Sequence, residues 1–182
     1  TDIEWAVSSD MLPDGISAYV AWSPKADGSA TSDKAVSGAV GTPVIGGGFD
    51  IVVEHSGLAD GLNVFAGYSD IEQGGQGDWT AHAIGATYAT GGFTVGYQMS
   101  SDNHGDAGGT DAYENTAFGI SFAVNDDLSI SYGRHDSERK SNGNTSIETE
   151  LSAESFQIAY SMGGASIKIA DTEVDHANYD ST

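Results

Sequence analysis

The chain has 182 residues and no cysteine, and 27 Asp and Glu stand against 6 Lys and Arg, for a formal net charge of −21. That excludes a disulfide framework, a thiol nucleophile and a Cys-ligated metal. It also argues against nucleic acid as a partner, because phosphate binding needs clustered Lys and Arg, and neither occurs between Lys34 and Arg134. Such a surface attracts cations. At this length a single domain is the default. No apolar run approaches the ~18–20 residues of a membrane-spanning helix, but a membrane barrel needs only ~9–11 residues per strand. The 25 Gly and 3 Pro suit tightly turning sheets rather than collagen, which needs Gly at every third position.

Taken in chain order, the sequence alternates strands with turns. Ile3–Val7 is a first predicted strand, and Met11-Leu-Pro-Asp-Gly15 a turn. Ile16, Ala18, Val20 and Trp22 then place an apolar residue at every second position, which puts them on one face of a strand. The pattern returns in predicted pairs. Phe49–Glu54 is followed by the turn Leu58–Gly61 and by Leu62, Val64, Ala66 and Tyr68. Ala81–Ala89 is followed by Thr90–Gly92 and by Phe93, Val95, Tyr97 and Met99. Asn115–Val124 carries Phe118, Ile120, Phe122 and Val124 and precedes Asn125–Asp127 and the set Leu128, Ile130, Tyr132. Ser155–Met162 carries Phe156, Ile158 and Tyr160 and precedes Met162–Gly164 and the set Ala165, Ile167, Ile169. The links are hairpin turns, in which Gly, Asn and Asp supply positive φ at little cost.

The links at the opposite end are longer and polar, roughly Ser23–Gly48, Asp70–Asp78, Ser101–Asp111 and Asp136–Glu150, with a last one beginning near Asp171. The result is an up-and-down meander of about ten antiparallel strands. Corresponding sets are 46, 31, 35 and 37 residues apart (Ile16, Leu62, Phe93, Leu128, Ala165). A solenoid would keep one period, whereas here the variation falls in the long loops. Short turns at one end and long loops at the other are the arrangement of a transmembrane β-barrel.

Three features favour lipid over a protein core on the apolar side. The opposite face holds small residues such as Gly96, Gly119, Ser129, Ser131, Gly133 and Ser166. Aromatic residues recur near strand ends, with Trp22, Tyr68, Tyr88, Tyr97, Tyr132 and Tyr160 as a candidate girdle, as at the two interfaces of membrane barrels. No amphipathic helix of ten or more residues is present to form a second layer. The alternative is a secreted acidic β-sheet domain, adhesive or structural, with Ca²⁺ in its loops as an option; β-sandwiches show the same alternation.

Four segments resemble an outer-membrane general-diffusion porin of Gram-negative, alphaproteobacterial type: Leu62-Asn-Val-Phe-Ala-Gly-Tyr-Ser-Asp70, Phe93-Thr-Val-Gly-Tyr-Gln-Met-Ser-Ser101, Leu128-Ser-Ile-Ser-Tyr-Gly-Arg134 and Ser155-Phe-Gln-Ile-Ala-Tyr-Ser-Met-Gly-Gly164. The resemblance implies a sixteen-stranded antiparallel barrel, an outer-membrane location, a homotrimer in lipid and lipopolysaccharide, and passive diffusion of ions and small hydrophilic solutes without catalysis. About ten strands, with no terminal strand ending in an aromatic residue, then make residues 1–182 a single barrel segment. It would correspond to strands six to fifteen, lacking N-terminal strands and the C-terminal one, and would not include the inward-folded third loop.

In such a barrel the lumen face includes Asp50, Glu54, Gln98, Asn115, Ser129, Ser131, His135, Gln157, Ser166 and Lys168. Rings of carboxylates favour cations, so a weak cation preference is expected. Val52 and Phe65 fall on that same parity, where apolar side chains are unexpected. Arg134 shares the parity of Leu128, Ile130 and Tyr132 and is expected at a loop end, reaching interfacial or lipopolysaccharide phosphates. Asp102, Asp106 and Asp111 offer oxygen ligands among glycines, as Ca²⁺ sites do, but EF-hand spacing is absent. None of the five His sits in a zinc-protease frame, there is no Gly-x-Ser-x-Gly elbow, and adjacent His135 and Asp136 point to opposite faces, so no enzyme is expected and no cofactor beyond that loop Ca²⁺.

Overall fold

The structure is a computed structural model and describes residues 3–24, 44–74, 77–105, 112–140 and 150–179. Ten strands follow in chain order: β1 Ile3–Ala6, β2 Ile16–Ser23, β3 Val44–Ser56, β4 Leu62–Gly74, β5 Trp79–Thr90, β6 Phe93–Asn103, β7 Ala112–Ala123, β8 Leu128–Lys140, β9 Glu150–Met162 and β10 Ala165–Asp175. Every strand pairs antiparallel with its neighbour in sequence, giving one sheet in the order β1 to β10. Two short 3-10 turns, Ser9–Met11 and Ala177–Tyr179, complete the described elements.

Hairpin ends lie where Gly and Asn place them. Gly61 has φ 77°, and its carbonyl accepts the Ala89 N–H at 2.9 Å. A Cβ there would sit 2.0 Å from the Ala89 carbonyl oxygen, so both the positive φ and the close approach require glycine. In the β7–β8 turn the Asn125 side-chain oxygen accepts the N–H groups of Asp127 and Leu128, each at 2.9 Å, an Asx turn.

The strands run further toward the loop end than the apolar alternation indicates. β8 runs through the expected loop start at Asp136 to Lys140, and β9 begins at Glu150 rather than Ser155. β4 and β6 likewise take in residues expected to be loop. There the face of the apolar sets turns polar, with Asp70, Glu72, Ser101, Asp136 and Glu138 on it, so a rule based on apolar alternation has little to detect.

Register aligns every apolar set on one face. Ile51 pairs with Val20 and Tyr68, Ile84 with Ala66 and Met99, Phe118 with Tyr97, and Ile158 with Ile130 and Ile169. Among the described residues, that face has no second layer. Ile71 is the one buried hydrophobic side chain among the described residues, while Ile84, Ile167 and Ile169 are 58%, 60% and 64% exposed. A continuous apolar surface ten strands wide far exceeds what a water-soluble monomer leaves bare.

Candidate functional site: the polar face of the sheet

Because successive side chains point to opposite faces, the apolar register fixes a second face made of the intervening residues. Asp50, Glu54, Gln98, Asn115, Ser129, Ser131, His135, Gln157, Ser166 and Lys168 all lie on it: Asp50 pairs with Ser69, Gln98 with Ala117, Asn115 with Ser137, Ser129 with Ala159, Ser131 with Gln157 and Lys168 with Ala159. The Asp50 carboxylate accepts the Ser69 hydroxyl at 2.6 Å.

Val52 and Phe65, apolar residues on this polar face, have a local explanation. Each covers a glycine of the next strand. Val52 reaches over Gly67, where a Cβ would lie 3.7 Å from its Cγ2. Phe65 lies against Gly85, and a Cβ there would meet the Phe65 ring at 2.5 Å and the Tyr97 carbonyl oxygen at 2.8 Å. An aromatic ring laid over a strand glycine restores packing the glycine cannot supply. Both side chains therefore follow the wall rather than project from it.

Toward the loop end, the polar face carries an aromatic row that alternation did not reveal. The Trp79 indole N–H donates to Asp102. His104 Nε2 lies 3.1 Å from the other Asp102 oxygen, and the His104 ring centroid is 4.2 Å from that of Trp79. Tyr113 follows at 5.6 Å from His104, and Tyr179 at 5.4 Å from Tyr113. The Tyr179 hydroxyl is 2.6 Å from Ser137 Oγ, and the Arg139 guanidinium lies 5.4 Å from the Tyr179 ring centroid. Positive φ at His176 (51°) and Tyr179 (58°) turns the chain after β10 back over this face. The signal was present in the parity of Asp102, His104 and Tyr113, but it becomes readable only once β6 and β7 are carried into segments expected to be loop.

On the apolar face, four of the sets end abruptly at a charged residue. Tyr68 is followed on its face by Asp70, Tyr132 by Arg134, and Ile169 by Asp171, while Phe156 is preceded by Glu154. Trp22, Tyr68 and Tyr132 lie close to this border, Tyr97 one position lower, and Tyr88 and Tyr160 near the hairpin turns. Arg134 is not at a strand end as expected: β8 continues six residues beyond it. Its guanidinium is held by two carboxylates of the protein, Asp136 with an Nε–Oδ2 distance of 2.8 Å, and Glu154 across the β8–β9 ladder. Lys140 pairs with Glu138 at 2.8 Å and Glu114 at 3.5 Å. Asp136 faces Arg134 and lies on the face opposite His135.

Asp102, the described member of the candidate Ca²⁺ set, is engaged by Trp79 and His104, and Asp106 and Asp111 lie outside the described residues. Among the described residues, no three His, Asp or Glu side chains gather to hold a metal ion.

No curated protein matches the chain by sequence. A family model described as Gram-negative porin matches residues 13–164, a stretch that begins before β2 and ends at the β9–β10 turn. With an antiparallel meander, an uncovered apolar face and a small-residue polar face already in place, the match means that this chain belongs to the Gram-negative porins, proteins of the bacterial outer membrane.

Proposed function

We propose that the polar face lines a water-filled pore through which ions and small hydrophilic solutes diffuse passively, with a weak preference for cations. The observation that carries this reading is the pairing of an uncovered apolar face with a polar face of small side chains. Lipid covers the first and water the second. The strands β3 to β10 are 11 to 13 residues long, enough for tilted strands to span a bilayer. The charge preference is weak because strand positions on the polar face bear Glu4, Asp50, Glu54 and Asp102 against Arg139 and Lys168. Transport needs no turnover chemistry, and none is assigned to the chain.

Trp22, Tyr68 and Tyr132 would mark the outer interface, and Tyr88 and Tyr160 the inner one. Among the described residues β1 pairs with β2 alone and β10 with β9 alone. An unpaired ladder edge costs several kcal/mol per backbone group in hydrocarbon. Further strands would therefore join β10 to β1 in the complete barrel, for which the family resemblance supports sixteen strands and a homotrimer embedded in lipid and lipopolysaccharide.

The test is ion conductance of the full-length native protein in planar bilayers under a KCl gradient. Stepwise openings with a reversal potential displaced modestly toward that of K⁺ are expected. A protein that stays soluble without detergent and opens no channel would overturn the reading.

A further inference from the structure

The polar face is not uniformly polar, and its departure from uniformity has a shape. Between β3 and β6 it holds a groove of about 540 Å³, within the size range of small-molecule sites. Its floor is small and apolar, with Val52, Ala81 and Ala83 among the residues lining it, and Trp79 stands at its loop-end edge. Two carboxylates bound it. Successive register pairs run Asp50–Ser69, Ser69–Ala81 and Ala81–Asp102, so Asp50 and Asp102 stand at the two ends of one row across the sheet. Three interstrand steps separate them, at most about 14 Å. Both are oriented by neighbours, Asp50 by the Ser69 hydroxyl and Asp102 by the Trp79 indole N–H on one oxygen and His104 Nε2 on the other.

An apolar recess with a few fixed polar groups is the usual design of a small-molecule site. Here the fixed groups are anionic, and an indole ring, the best aromatic partner for a cation, sits beside one of them. Resting on the pore reading above, we propose that this groove is a subsite for organic ammonium ions. The hydrocarbon or aromatic body lies on the floor of Val52, Ala81 and Ala83 beside Trp79, and the ammonium group donates charge-assisted hydrogen bonds to Asp102 or Asp50. Such solutes pause on the wall during passage. Inorganic cations, which gain nothing from the floor, do not.

Benzylamine, protonated at neutral pH, is the probe. It is added to the full-length protein in planar bilayers in KCl, with benzyl alcohol and ammonium chloride as controls. Benzylammonium is expected to produce resolved interruptions of the open current that increase with its concentration, and neither control to produce them. The double variant Asp50→Asn with Asp102→Asn lowers the association constant about tenfold or more. Glu54→Gln, which removes one carboxylate charge from this face outside the groove, leaves the constant within about twofold. Interruptions with benzyl alcohol or ammonium chloride alone, none with benzylammonium, or an undiminished constant in the double variant would overturn the subsite. The pore reading fails separately, by absence of KCl conductance. The subsite is then still decided in detergent by the Trp79 part of the protein fluorescence, obtained by difference from Trp79→Phe: saturable change with benzylammonium supports it, and no change refutes it.

Discussion

Phe65 shows how a residue that breaks the pattern can obey the physics. Its ring lies on Gly85, so this apolar side chain on the polar face of the sheet covers backbone. Gly85 then has no room for a methyl group, with the Phe65 ring at 2.5 Å and the Tyr97 carbonyl oxygen at 2.8 Å from a built Cβ. Gly85→Ala is expected to destabilise the protein by about 1–3 kcal/mol, the usual cost of overpacking. Gly119→Ala has its nearest neighbour at 3.9 Å and should stay within about 0.5 kcal/mol. Urea unfolding in detergent, followed by far-ultraviolet circular dichroism, compares the two. Removing Phe65 as well should relieve only part of the Gly85→Ala penalty, because the carbonyl contact stays. Parity alone flagged Val52 and Phe65 as anomalies. The explanation required knowing which glycine each one faces across the ladder.

At the scale of a strand, β9 separates the two faces most sharply. Ile158 stands among Ile130 and Ile169 on the apolar face, and Gln157 between Ser131 and Ala170 on the polar one. Ile158→Lys should cost about 2–4 kcal/mol, the penalty for a cation against hydrocarbon near the bilayer midplane. The same change one residue earlier, Gln157→Lys, should be nearly neutral for stability and move the reversal potential toward Cl⁻. Unfolding in lipid vesicles and bilayer recordings measure the two effects. Equal costs at both positions would mean that the faces are not differently solvated. This alternation was legible because it is local: period two and a turn residue suffice to place Ile158 and Met162. The loop-end halves of β4, β6, β8 and β9 were not legible. Beyond Asp70, Ser101 and Arg134 the face of the apolar sets carries polar side chains, while isolated apolar ones such as Ile71 fall on the other face, and no regular contrast remains to mark a strand. Arg134 was misplaced at a loop end for that reason, and its pairing with Glu154 followed only from the β8–β9 register.

For the whole molecule, the consequence is sidedness. The three tryptophans sample both faces: Trp5 and Trp22 are 52% and 50% exposed on the apolar face, and Trp79 lies on the polar one. In vesicles of brominated lipid, single-tryptophan variants retaining Trp5 or Trp22 should be strongly quenched. A variant retaining Trp79 should be quenched by aqueous acrylamide instead. Quenching of Trp79 by lipid, or protection of Trp22 from it, would contradict the assignment of faces. The amino-acid sequence by itself determined which residues share a face and where the hairpins turn. Each of these follows from neighbours a few residues apart. Only the tertiary structure decided which polar residues of different strands meet, the row from Asp50 to Asp102 and the ring series from Trp79 to Tyr179. Register between strands depends on the length of every intervening turn and strand, and the return of the chain after β10 depends on backbone conformations at His176 and Tyr179 that residue type does not announce.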